Sequence, residues 1–267
     1  ISPGCVSNDI YYTNSPDRGM SFKRATAEID WLPEVDQARV SLVIDSEGNP
    51  AVAWPDHRTG EKHVYFARSF DGGKTFTPGV EVDPSTGRQD RPCLVLDSNE
   101  NPVIAWIEVH DVAENMNPVG YIHVSRSADG GAIFLPSVSV YPESKPHQGW
   151  PALAIDSNDN PMVGMHYYSA ANLWDVFFTR SIDQGASFLT PIPVASDANN
   201  QYIMGNDAIA LDSNDRPYIA LMDDRSGQWN IRITKSAPDG KSFLESVPID
   251  SSPGRQIVPS LSIDSND

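Results

Sequence analysis

Apolar and polar residues alternate along this chain in short runs, and clusters of turn-forming residues separate the runs. In one stretch the runs are CLVLD from Cys93, PVIAWIE from Pro102, YIHVSRS from Tyr121 and PSVSVY from Pro136. A period of two places alternate side chains on opposite faces of a strand, so each such stretch predicts four half-buried strands. No window of about a dozen residues carries an apolar stripe at helical spacing. The pattern predicts an all-β chain.

The four-strand pattern recurs. SPDRGMSF from Ser15, SFDGGKTF from Ser69, SADGGAIF from Ser127, SIDQGASF from Ser181 and SAPDGKSF from Ser236 start 54, 58, 54 and 55 residues apart. A second series interleaves with the first at the same period: IDSEGNP at Ile44, LDSNENP at Leu96, IDSNDNP at Ile155, LDSNDRP at Leu211 and IDSND at Ile263. Residues that bond their own backbone or tolerate left-handed dihedrals make the second series the turn between strands one and two. The first series is the turn between strands three and four.

Four-stranded units of about 40 to 50 residues are the sequence mark of a β-propeller. One domain over residues 1–267 is expected, with repeats at about 37–90, 91–148, 149–204 and 205–256 and a closing blade from 1–36 plus 257–267. Phase counting favours five blades, closed by PSLSID from Pro259 beside DIYYTNS from Asp9. A fragment of a six- or seven-bladed ring is the alternative.

The Ser-x-Asp-x-Gly-x-x-Phe pattern resembles the Asp box, or bacterial neuraminidase repeat, of sialidase-like propellers. The resemblance implies that Asp17, Asp71, Asp129 and Asp183 bond backbone N–H groups of their own turns and that the closing Phe packs between blades. The fifth copy has Pro238 where Asp is expected and Asp239 after it, which predicts an altered turn there.

In an antiparallel meander both repeated turns lie at one end of the sheets. The other end is where the repeats diverge, and function is expected there. Its inter-blade loops carry Gln37, Arg39, Gln89, Arg91, Gln148, Trp150, Arg255 and Gln256, with Gln at one phase in four of five repeats and Met204 at that phase in the other. Loops after the second strands carry Asp56, Arg58, Glu108, His166, Tyr167, Tyr168, Asp223 and Arg225. Aromatic faces cover sugar C–H surfaces while amides, guanidinium groups and carboxylates match hydroxyls, so this mixture predicts a glycan-binding mouth. The bland alternative is that Asp56 with Arg58 and Asp223 with Arg225 pair within their loops and that the glutamines tie blades together.

Charge narrows the partners. Against 36 Asp and Glu stand 19 Lys and Arg, a net charge of -17, which repels a phosphate backbone and makes nucleic acid an unexpected partner. No apolar run reaches the roughly 18 residues of a membrane span, so membrane insertion is not expected. Cys5 and Cys93 make no disulfide framework and are predicted to lie too far apart to bridge. The Asp-Ser-Asn turns are too short for a calcium loop with its distal Glu, so no cofactor is expected and a calcium ion has no placed ligands.

The expectation is a secreted or cell-surface propeller that binds a glycan or polysaccharide without turnover. The first alternative is a sialidase-like glycoside hydrolase drawing on Arg39, Arg91, Arg255, Tyr167, Glu108 and Asp56, although the Phe/Tyr-Arg-Ile-Pro motif of sialidases is absent. The second is a protein-interaction or architectural module. The sequence gives no oligomeric state.

Overall fold

The structure is a computed structural model that describes residues 8–22, 27–30, 35, 37, 39–85, 87–110, 119–141, 148–168, 173–195, 199–205, 207–250, 252 and 254–264. Cys5 lies outside the described residues, and with it the expectation about its distance from Cys93, which is buried in a strand. The described residues form strands and turns without a helix. The chain divides into two compact units, Ile1–Ile104 with Ser125–Pro136, and Ala105–Val124 with Ser137–Asp267.

The strands arrive in the predicted sets of four. After a short ladder of β1 (Tyr11–Tyr12) and β2 (Ala27–Glu28), the strands β3 (Ser41–Ile44), β4 (Pro50–Asp56), β5 (His63–Arg68) and β6 (Val80–Glu81) pair in chain order. The second sheet holds β7 (Arg88–Leu96), β8 (Pro102–His110), β9 (Val119–Arg126) and β10 (Val138–Ser139), and the third holds β11 (Gln148–Ile155), β12 (Pro161–Tyr168), β13 (Trp174–Arg180) and β14 (Ile192–Ala195). In the fourth, β15 (Gln201–Tyr202) and β16 (Ile209–Leu211) both pair with β17 (Pro217–Asp223), which continues to β18 (Asn230–Lys235) and β19 (Val247–Pro248). Outermost strands of only two residues in three of these sheets leave little free ladder for another chain to join.

Half-burial is the expectation that fails most plainly. Every residue of β4 and β5 is buried, because a central strand packed on both faces hides even its polar alternates. Trp54, Val52, Tyr65 and Ala67 form one core with Ile29, joined by Ile10, Tyr12 and Phe76. In the second unit the third and fourth sheets share another, built from Met162, Val176, Phe178, Ile203, Ile219 and Leu221.

The two turn series have a common logic. Asp45 accepts from the Glu47 and Asn49 N–H groups at 3.1 and 2.7 Å, and Asp97, Asp156 and Asp212 repeat this two and four residues on. The Asn that closes each turn reaches the other series: Asn49, Asn101 and Asn160 accept from Gly72, Gly130 and Gln184 N–H at 2.9 Å. These bonds hold both turns of a sheet at one end.

In the Ser-x-Asp series Ser Oγ donates to Asp at 2.7–2.8 Å in the turns of Asp17, Asp71, Asp129 and Asp183, and the same Oγ accepts from the Gly four residues on. Each Asp then accepts the N–H four residues ahead of it at 2.7–2.9 Å. The turn Gly cannot be replaced without strain. Gly73 has φ +82° and Gly131 φ +97°, and a Cβ on either would stand 2.2 Å from a ring of the preceding sheet or ladder, Tyr12 or Phe66. The closing Phe packs on the same rings, Phe76 at 5.8 Å from Tyr12 and Phe134 at 5.6 Å from Phe66, and Phe243 stands 5.3 Å from Phe178. The fifth turn departs as its sequence predicts: Asp239 accepts only from Lys241 N–H at 3.0 Å among its bonds to this turn.

Two local expectations are corrected. Pro259–Asp264 carries no strand; Leu261 N–H donates to the Asp207 carbonyl at 2.7 Å, a single contact rather than a ladder, and no second strand lies beside the segment among the described residues of its unit. The first strand of the fourth repeat is split, with Gly205 at φ +120° inside the break. This split moves the glutamine. Gln201 faces Asp223 in register as Gln148 faces Tyr167, so Gln201, fully buried, holds the phase that sequence counting gave to Met204.

Candidate functional site

At the end opposite the repeated turns, the glutamines are engaged by the fold. Gln37, Gln89, Gln148 and Gln256 accept with Oε1 from the N–H of Ile10, Val64, Ile122 and Ile231 at 2.9–3.1 Å. Each of those donors lies five residues before a repeated Ser, in the third strand of the preceding repeat. The amide of Gln89 is also spent, donating to Asp83 O and Ser85 Oγ at 2.8 and 3.1 Å. Gln37, Gln89 and Gln148 are buried. These side chains tie one repeat to the next and have little left for a ligand.

Two residues beyond the glutamines the backbone enters the left-handed region, at Arg39 (φ 55°), Arg91 (φ 56°) and Val258 (φ 56°), a conformation that costs about 1–2 kcal/mol for a side chain with a Cβ. Arg39 pairs with Asp90 at 2.7 Å, and Lys62 reaches the same carboxylate at 3.1 Å. Burial, and then the charge of Arg39, lower the Arg91 guanidinium to about 10, which leaves it protonated at neutral pH.

Two of the acidic residues that share one phase after the second strands, Asp56 and Asp223, are neutralised where they stand. Asp56 is fully buried and accepts from Trp54 Nε1 at 3.0 Å and from Arg58. Arg58 continues to Asp30 at 2.5 Å and lies 3.8 Å over the Tyr65 ring. Asp223 is likewise fully buried and takes the Arg225 Nε and Nη2 groups at 2.8 and 2.7 Å. At the same phase Glu108, 5% exposed, meets His110 Nε2 at 2.9 Å, and His110 is the more exposed partner. Tyr167 turns away from this set, its ring 6.0 Å from both Tyr141 and Phe177.

The second unit holds a feature that does not repeat. Tyr168, Trp174, Tyr202 and Trp229, all partly exposed, stand in a row with ring centroids 5.0, 5.6 and 5.3 Å apart. Buried His166 lies behind them, its centroid 5.0 Å from Trp174, 5.1 Å from Tyr202 and 6.1 Å from Trp150. Its Nδ1 bonds the Ile203 carbonyl at 3.1 Å. The ring has room only because residue 149 is glycine, where a Cβ would meet His166 Nε2 at 2.0 Å. Asn200 frames the row, accepting from Trp174 N–H at 3.3 Å and donating through its N–H and Nδ2 to Asp224 at 2.9 and 3.0 Å. Burial, then the negative charge of Asp224, raise the Tyr202 phenol pKa.

Rings of this kind, part buried and part wet, cover apolar surface while polar neighbours take hydroxyl groups. No protein-family model matches the chain, and no curated protein matches it. Solved structures do. A protein of unknown function from Dyadobacter fermentans superposes with a TM-score of 0.64 at 18% identity, over 82% of this chain and 71% of its own. The intramolecular trans-sialidase of Ruminococcus gnavus gives 0.56 at 13%, over 80% and 71%, and the alpha-L-arabinanase of Penicillium chrysogenum, solved with arabinobiose, gives 0.58 at 11%, over 94% and 73%. The fold is that of the propeller enzymes among them, the trans-sialidase and the arabinanase.

Of the residues named from sequence, Tyr168 stands in the row, His166 lies behind it, and Trp150 touches the cluster through its ring contact with His166. Trp174, Tyr202, Trp229 and Asn200 went unnamed because no other repeat has an equivalent. Their signal was the departure itself, in LWD, NNQY and GQWN.

Proposed function

We propose that this chain acts on a glycan at the loop end of its sheets, as a glycoside hydrolase of sialidase- or arabinanase-like type. The observation that carries the glycan is the row Tyr168, Trp174, Tyr202 and Trp229. Turnover is preferred to binding alone because the superposable proteins of known activity are glycan-processing enzymes. Glu108 is the group to test as acid or base, since its buried carboxylate is bonded to a half-exposed imidazole that can pass a proton to solvent. In this reading the Ser-x-Asp turns are Asp boxes, the ring has five blades, and the chain is secreted or displayed at a surface.

A panel of fluorogenic arabinofuranosides and sialosides tests it. The chain is expected to release fluorophore from one class, and Glu108→Gln to slow that release by about 10²-fold. Binding without turnover has one observation in its favour, the neutralisation of Asp56 by Arg58 and of Asp223 by Arg225. Glycan binding with no release from any glycoside would select it.

A further inference from the structure

The four rings of the row differ in tilt. Successive interplanar angles are 54°, 33° and 63°, so the rings do not share one plane. A flat crystalline polysaccharide face would touch one ring at a time, whereas a single flexible chain can turn to meet several. The row is also longer than one ring contact, which gives each added sugar residue a further aromatic face.

The side chain bonded beside the row is acidic: Asp224 accepts from the Asn200 N–H and Nδ2 at 2.9 and 3.0 Å. The guanidinium groups on the strand and loop flanking Trp229 are committed elsewhere, Arg225 to Asp223 and Arg232 through Nε to Ser246 Oγ at 2.9 Å. A ligand carboxylate or sulfate set on these rings would meet Asp224 with neither of those two guanidinium groups free to receive it, on a protein that already carries a net charge of -17.

We infer that the row formed by Tyr168, Trp174, Tyr202 and Trp229 holds an uncharged single-chain oligosaccharide across more than one sugar residue, and excludes acidic sugars. This rests on the glycan reading above and narrows its substrate class. Asp224 accepts from the hydroxyl groups of the chain, Asn200 donates to them through its second amide hydrogen, and the rings cover its C–H faces.

The test is calorimetric titration of the full chain with neutral arabino-, xylo-, gluco- and galacto-oligosaccharides of increasing length, and with sialyllactose against lactose, at low and high salt. One neutral series is expected to bind, about tenfold tighter in its longer members than as a disaccharide, with little change on adding salt. Trp174→Ala and Trp229→Ala are each expected to weaken it about tenfold or more, as loss of a central aromatic anchor does. Trp229→Phe keeps a ring and is expected to retain most of the affinity, which guards against a folding defect in the alanine variants. Tighter binding of sialyllactose than of lactose, weakened by salt and by Trp229→Ala, would overturn the exclusion of acidic sugars and leave the glycan reading standing. Binding of no glycan at all would overturn both.

Discussion

The Ser-x-Asp turns and the loops at the opposite end of the sheets use their carboxylates in opposite ways. At the repeated end Asp17, Asp71, Asp129 and Asp183 are open to water, yet each is bonded by the hydroxyl and N–H groups of its own turn. At the other end Asp56 and Asp223 are fully buried and are balanced by a guanidinium two residues away. At the repeated end bonds close within a turn, between two turns of one sheet, or between turns of successive sheets, as from Ser46 N–H to Glu100 and from Ser157 to Asp215. At the opposite end Arg58 reaches Asp30 and Asn200 reaches Asp224. Repetition therefore marks where the chain builds itself, and departure from repetition marks where we propose that it meets a glycan.

The largest expected effect tests the buried charges. Asp56→Ala leaves Trp54 Nε1 without its acceptor and Arg58 with Asp30 alone at a buried position, and is expected to cost about 3–5 kcal/mol in urea unfolding. A loss below about 1 kcal/mol would mean that the site admits water. Next comes Gln89→Ala, which strips the Val64 N–H of its partner at 2.9 Å and is expected to cost about 1–3 kcal/mol. An unchanged midpoint would show that the glutamine tie is incidental and would return these residues to the candidate ligand contacts.

The turn carboxylates give a smaller effect with a distinct pH signature. Hydrogen bonds from Ser21 and then Ser15 hold the Asp17 carboxyl down at about 2, and Thr75 and then Ser69 hold Asp71 lower still. A carboxyl depressed in the folded state stabilises it fully above the unfolded value near 3.9 and loses that stabilisation as pH falls through the folded value. Thermal melts should therefore be flat from neutrality to about pH 5 as far as these groups are concerned, and should fall between about pH 4 and 2. Asp71→Asn should flatten part of that fall. An equal slope in the variant would remove Asp71 from the account.

What the sequence made legible follows the same division. Ser-x-Asp-x-Gly and Asp-Ser-Asn are short-range chemistry, and the residues that shape those turns lie inside them, so the turn end was readable in detail. The glutamine phase was readable in four repeats, but the split of β15 and β16 around Gly205 hid Gln201. The full burial of β4 and β5 was not readable, since it comes from sheets packed on both faces rather than from the strands themselves. Trp174, Tyr202 and Trp229 were hidden for the opposite reason: a method that looks for recurrence passes over residues that occur once. Tyr167 was named because it shares a phase with Asp56 and Asp223, and its ring packs against Tyr141 and Phe177 instead of joining the row.

The central claim is that the repeated end supports the fold while the divergent end of the second unit meets a glycan. Its most direct test is one paired measurement on Asp71→Asn and Trp229→Ala, each melted and each titrated with the same neutral oligosaccharide. The account predicts a lowered melting temperature with unchanged affinity for Asp71→Asn, and an unchanged melting temperature with affinity reduced about tenfold or more for Trp229→Ala. Lost affinity at full stability in Asp71→Asn, or full affinity in Trp229→Ala, would contradict it.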